Sequence, residues 1–97
     1  MSGTGRFVRK IPGGKLLKLD AEYALGRLAR VSIRGDFFAH PEEAFDRVEA
    51  ALQGIDPVDF PRLLREAVAR EGVIIYGVGV DDIVDAFERA SDAIQVP

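Results

Sequence analysis

The apolar residues of this chain change their period at Arg34-Gly35-Asp36-Phe37-Phe38, and that change constrains the fold more than any other feature. Before the corner they recur at every second position, and after it at three and four, so the corner joins a sheet to helices. Gly35 can take a positive φ that other residues resist, and Asp36 is suited to accept a backbone N–H one or two residues further on. Both residues favour a sharp exit from a strand. On an extended backbone Phe37 and Phe38 point to opposite faces, so only one ring enters a core lying on one side of the sheet. The other needs a cover, either a second helix of this chain or a partner protein.

Upstream, Lys15 to Tyr23 alternates, with Leu17, Leu19, Ala21 and Tyr23 on one face and Leu16, Lys18, Asp20 and Glu22 on the other. Ala24-Leu25-Gly26 supplies a turn. Arg27 to Arg34 then alternates again, placing Ala29, Val31 and Ile33 inward and Arg30, Ser32 and Arg34 outward. Together they predict a β-hairpin, which needs a helix or a third strand to be stable. Arg6 to Lys10 reads as a short strand or an extended lead-in, ending where Pro12 disfavours helix at Ile11 and Gly13-Gly14 invite a turn. Lys10 and Lys15 flank Pro12-Gly13-Gly14, an arrangement in which exposed backbone N–H groups and two ammonium groups could converge on an anion. A plain turn accounts for the same residues, since the Walker spacing is lacking and no helix follows.

Downstream, Pro41 suits the first turn of a helix, with Glu42 and Glu43 at its positive end. That helix runs to about Leu52, with Ala44, Phe45, Val48, Ala51 and Leu52 as its apolar stripe and Gly54 as its stop. Phe60, Leu63, Leu64, Ala67 and Val68 predict a second helix over Phe60 to Arg70, capped by Asp59. Val73-Ile74-Ile75-Tyr76 reads as a short buried strand or extended run ended by Gly77 and Gly79. A third helix, capped by Asp81 and stapled by Val80, extends to about Ala93 with Ile83, Val84, Phe87 and Ala90 inward. The expected fold is α+β: a small antiparallel sheet, a hairpin plus one short strand, packed against about three helices in a single domain.

Size agrees with one core: 97 residues, 47% hydrophobic and 30% charged, make one globular unit. The chain has no cysteine, which removes disulfides, thiol nucleophiles and Cys-based zinc or iron–sulfur sites. No apolar run approaches the roughly 18 residues of a membrane span, and Met1-Ser2-Gly3-Thr4-Gly5 lacks the apolar core of a signal peptide. Residues 1–5 are therefore expected to be a flexible N-terminus, and the chain to be cytoplasmic with no membrane partner.

Charge divides along the chain. Residues 1–34 carry eight Lys and Arg against two acids, a sum of +6, whereas 35–97 carry five against fourteen, a sum of −9. A basic sheet of this kind suits a phosphate-bearing ligand, an acidic protein or nucleic acid, and it equally suits internal balance against acidic helices. Nucleic acid is not expected, because the aromatic residues do not interleave with the basic ones.

Catalytic chemistry finds no constellation. His40, the one histidine, reads as a loop or cap residue, and Ser2, Ser32 and Ser91 lie in no nucleophile elbow. Asp81, Asp82 and Asp85 serve the dipole of a helix start and form no EF-hand loop, so no metal site is expected. The pattern is that of a binding or accessory module.

Lys10-Ile11-Pro12-Gly13-Gly14-Lys15, a strand pair, Ile33-Arg34-Gly35-Asp36-Phe37-Phe38, Pro41-Glu42-Glu43 and a helix ending in Leu52-Gln53-Gly54 follow one another in this order. The series resembles the C-terminal accessory domain of lipoate-protein ligases, from Arg6 to Ala93. The lysine-to-Gly-Gly loop and the Gly-Asp-Phe-Phe corner carry the likeness, and the helical half matches in pattern. The resemblance implies an accessory domain over residues 6–97, in the free-standing form of a small second subunit found in some archaeal systems. It further implies a heterodimer in which a separate catalytic subunit binds lipoate and ATP with Mg, and this subunit is needed to form lipoyl-adenylate. The lipoyl-domain acceptor is then met indirectly, and the small chain has no catalytic residue, cofactor or metal of its own.

On the same resemblance Lys10 is the family lysine, Gly13 and Gly14 allow close backbone approach, and Lys10, Gly13, Gly14 and Lys15 lie near the adenylate. Gly35, Asp36, Phe37 and Phe38 are the expected partner contact. The fold group also includes iron–sulfur scaffold and sulfur-acceptor proteins, functions that need the cysteine this chain lacks. A second hypothesis is an independent module that recognises an acidic protein through the basic sheet face.

Overall fold

The computed structural model describes residues 3–11, 13 and 15–92. Three antiparallel strands, β1 (Gly3–Ile11), β2 (Lys15–Ala24) and β3 (Arg27–Gly35), form one sheet in that order. After the corner come β4 (Phe38–His40), α1 (Glu42–Ala51), a 3₁₀ turn at Pro57–Asp59, α2 (Phe60–Glu71), β5 (Ile74–Tyr76) and α3 (Val80–Asp92). The class is α+β with three helices, as expected.

The sheet is built differently from the expected one. Its third strand is the N-terminal segment, which begins at Gly3 rather than Arg6, so Gly3 to Gly5 belong to a strand and only Met1 and Ser2 of the expected flexible segment lie outside the described residues. The short strand β5 pairs with β4 in a separate two-stranded sheet, Phe38 opposite Tyr76 and His40 opposite Ile74. β5 is exposed at both ends, not buried, because nothing described here covers its outer face.

Within the hairpin, Leu25 (φ 54°) and Gly26 (φ 77°) form the two-residue turn that matches the twist of antiparallel strands. Leu17, Leu19 and Ala21 are buried as their alternation predicts, and Tyr23 is half-buried. In β3 the inward residues are Leu28, Val31 and Ile33, while Ala29 is exposed. The cause is a bulge: Glu22 pairs with Arg30 but Tyr23 pairs with Leu28, so Ala29 is the extra residue and the phase shifts by one.

The helices cover one face of the sheet. α3 lies across β1 and β2, and its Phe87 stacks on Phe60 of α2 with ring centroids 3.8 Å apart and planes 9° apart. Arg9 of β1 pairs with Asp85 of α3 at 2.8 Å, and Tyr23 bonds Ser91 through their hydroxyls at 2.6 Å. Burial of Tyr23 outweighs that bond and raises its phenol pKa. On α1, Ala44, Phe45, Val48 and Leu52 are buried, but Ala51 is exposed. Pro41 is the cap before that helix, following a cis bond from His40, and does not enter the first turn.

The other expected caps are reassigned too. Asp56 accepts from the Val58 N–H and caps the 3₁₀ turn, whereas Asp59 makes no cap bond and pairs with Arg62 at 3.3 Å. Asp82, not Asp81, serves the start of α3 by accepting from the Gly79 N–H at 2.7 Å, the returning half of a capping box. Asp81 is turned instead to Arg65 of α2, at 2.5 Å. Ala93, the expected end of α3, lies outside the described residues.

The outer edge of β3 is closed by side chains. Gln53 accepts from the Val31 N–H at 2.9 Å and donates to the Val31 carbonyl at 3.1 Å, while Glu49 accepts from the Ile33 N–H at 2.9 Å. Leu28 completes the seal, donating to Ile55 at 2.8 Å and accepting from Gly54 at 2.6 Å. These bonds satisfy an edge that would otherwise be half-buried and unpaired.

Candidate functional site

The corner turns because Gly35 adopts φ +151°, the region other residues avoid, and lies against the backbone of Leu16. Asp36 donates its N–H to the Leu16 carbonyl at 2.8 Å, tying the end of β3 to the start of β2. The side chain of Asp36 accepts no local bond among the described residues. The turn is therefore held by backbone alone, and the carboxylate remains in solvent.

Phe37 and Phe38 part as an extended chain requires. Phe37 packs inward, edge-on against Phe45 of α1 at 5.6 Å and 70°. Phe38 points the other way and is 75% exposed. The same alternation in β5 leaves Ile74 and Tyr76 on the outer face, 54% and 55% exposed, with Ile75 half-buried beneath. Sequence reasoning missed these two residues, since an apolar run of four reads equally as buried strand; their exposure follows from pairing with β4, a long-range contact.

Lys15 joins the corner. Together with Gly35, Asp36, Phe37 and Phe38 it lines a shallow depression of roughly 460 Å³. A second depression of roughly 330 Å³ lies behind, with Ile33, Phe37, Ala39 and Phe45 as floor and Arg34, Glu42 and Asp46 at the rim. Two expected sites, the lysine loop and the aromatic corner, are thus brought together at Lys15.

Lys10 is not brought with it. The register sets Lys10 opposite Leu16 and Lys15 opposite Ile11, and Ile11 is buried on the helix side. Alternation therefore sends Lys10 to the open face and Lys15 to the helix side, so the two ammonium groups diverge. Gly13 is exposed between them, and Pro12 and Gly14 lie outside the described residues.

Lys10 shares the open face with Val8, Leu16, Lys18 and Arg34, through the pairs Lys10–Leu16 and Val8–Lys18–Arg34. Much of the basic charge is answered within the chain: Arg6 by Asp20 at 2.7 Å, Arg34 by Glu49 at 2.8 Å and Arg9 by Asp85. Among the described residues, no carboxylate lies within 4.0 Å of Lys10, Lys15 or Lys18. His40 sits exposed on β4 beside Ile74, away from any serine hydroxyl bond.

Fold and corner together define a small α+β module that presents an apolar strip and a lysine at one end of its sheet. It is similar in structure to a chain of an archaeal lipoylation system from Thermoplasma acidophilum, described as a bi-partite lipoate protein ligase and its E2 lipoyl domain. The likeness has a TM-score of 0.71 and 26% sequence identity, and covers 90% of this chain and 94% of that one. No family model matches the sequence, and no curated protein matches it. No helix among the described residues is long and apolar enough to cross a membrane.

Proposed function

We propose that this chain is the accessory subunit of a two-part lipoate-protein ligase. It acts with a separate catalytic subunit that uses lipoate, ATP and Mg to form lipoyl-adenylate, before transfer of the lipoyl group to lysines of a lipoyl domain. The supporting observation is the likeness to the Thermoplasma lipoylation chain over nearly the whole of both chains.

The site adds a physical route. A lysine ammonium is a compact charge on a flexible stem, suited to a phosphate oxygen rather than to a core. Lys15 stands exposed at the rim of the depression that also holds the corner, so a partner covering the corner brings its own bound phosphate within reach of that charge. The role of this chain is then to position and to supply charge, and the bond-making groups belong to the catalytic subunit.

The test is reconstitution. The purified chain is mixed with the catalytic chain of a ligase from the same organism that lacks this domain. Lipoate-dependent exchange between ATP and pyrophosphate is followed, together with the mass of a lipoyl domain. Neither chain alone should turn over, and the mixture should. Turnover by the purified small chain alone, or a catalytic chain whose adenylation ignores the addition, overturns the reading.

A further inference from the structure

The β4–β5 sheet holds a cluster of large apolar side chains in solvent. Phe38 and Tyr76 stand directly opposite each other, and Ile74 is two residues from Tyr76 on the same face. All three are more than half exposed, whereas their alternates Ala39 and Ile75 turn inward and pack against the core. The remaining exposed large apolar residues stand apart: Val8 on the edge strand, Leu25 in the hairpin turn and Val58 in the 3₁₀ turn. Single exposed apolar residues are ordinary, but a contiguous patch on a small monomer marks an interaction surface.

The border of the patch is charged. Phe38 shares its depression with Lys15 and Asp36, both exposed, and Lys15 has no carboxylate within 4.0 Å among the described residues, so the rim carries one charge of each sign. An aromatic pair bordered by unpaired charges fits a protein surface that is apolar at its centre and polar at its rim.

We propose that Phe38, Ile74 and Tyr76, with Lys15 at the rim, form the surface on which the ligase catalytic subunit seats. β5 thereby becomes an interface element, although its sequence reads as core. The inference rests on the accessory-subunit reading and adds to it the face that docks.

The experiment uses the full chain and the catalytic chain named above. Phe38→Ser, Ile74→Ser and Tyr76→Ser are compared with Leu25→Ser and Val58→Ser, which remove still more exposed apolar side chains elsewhere, by calorimetric titration and adenylation. The patch variants should weaken association by about tenfold or more each, the value of roughly 1.4 kcal/mol, and the two controls by less than about twofold. Hydroxyl-radical footprinting of the wild-type complex should protect Phe38 and Tyr76, which keeps the proposal testable if a variant folds poorly. If the wild-type chains do not associate or activate, the accessory reading itself fails. If they do, while patch variants bind normally and Phe38 and Tyr76 stay reactive, the docking face is overturned and the reading survives. Loss of self-association in place of partner binding also overturns it, assigning the patch to a second copy.

Discussion

Gly35 lies against the carbonyl of Leu16 so closely that no side chain fits between them. A Cβ there would run into the Leu16 oxygen, with the carbonyl carbon only 3.0 Å away, and φ is +151°. The neighbouring bond from Asp36 to the same oxygen fixes the approach, so relief requires moving the start of β2.

Gly35→Ala is therefore expected to destabilise the free chain by about 3 kcal/mol or more, combining backbone strain with a backbone clash. Thermal unfolding should show a melting temperature lower by more than about 10 °C. A change of only a degree or two would mean that the corner relaxes without cost.

The two rings that follow should separate in the same assay. Phe37→Ala removes a half-buried ring that meets Phe45 edge-on and is expected to cost about 2 kcal/mol, or roughly 10 °C. Phe38→Ala removes a ring that is 75% exposed and should leave the free chain within about 0.5 kcal/mol of wild type. Equal losses would show that Phe38 also belongs to the fold.

Much of this was legible, and the failures have physical causes. The alternation of Leu17, Leu19 and Ala21 marks a half-buried strand because side chains alternate across a sheet, and the corner follows from the loss of that alternation. The bulge at Ala29 carries no local signal, so Leu28 and Ala29 exchange places. The start of β1 is not announced in the sequence because Gly3 and Gly5, buried on its inner side, offer no apolar side chain. At the site, Lys10 and Lys15 are near in sequence, but an odd separation across an antiparallel register sends them to opposite faces. Gln53 reads as the polar end of a helix, and its use as a seal for β3 depends on a contact 22 residues away.

The divergence of the two lysines yields a kinetic contrast. In the reconstituted ligase, Lys15→Ala should lower lipoyl-adenylate formation by about tenfold or more, the value of roughly 1.4 kcal/mol. Lys10→Ala, on the far face, should impair it less. Both variants should melt with the wild type, since each side chain is exposed. A larger loss from Lys10 would place the adenylate on the open face of the sheet.

Acid should loosen the packing of α1 on α2. Arg47 bonds Glu71 at 2.7 Å and holds its carboxyl below the usual carboxylate range. A lowered folded-state pKa means that the pair stabilises the fold above the ordinary carboxylate pKa and is lost as pH falls through the folded value. Glu71→Gln should thus melt below wild type at about pH 7, and the gap should close as pH falls below the ordinary carboxylate range. A gap independent of pH would assign Glu71 to packing rather than charge.

The sealed edge of β3 limits how copies of this sheet join. Among the described residues β1 pairs only with β2, so its other side is the open edge, and it carries Arg6, Arg9 and Lys10. A second chain docking there must strip water from those cations, which slows the approach. If two copies do meet edge to edge through β1, the result is a six-stranded sheet with a β3 on each flank, and each β3 already has its backbone groups occupied by Gln53, Glu49 and the 54–55 segment. Strand addition through this sheet therefore stops at two chains, and its geometry gives no growing stack.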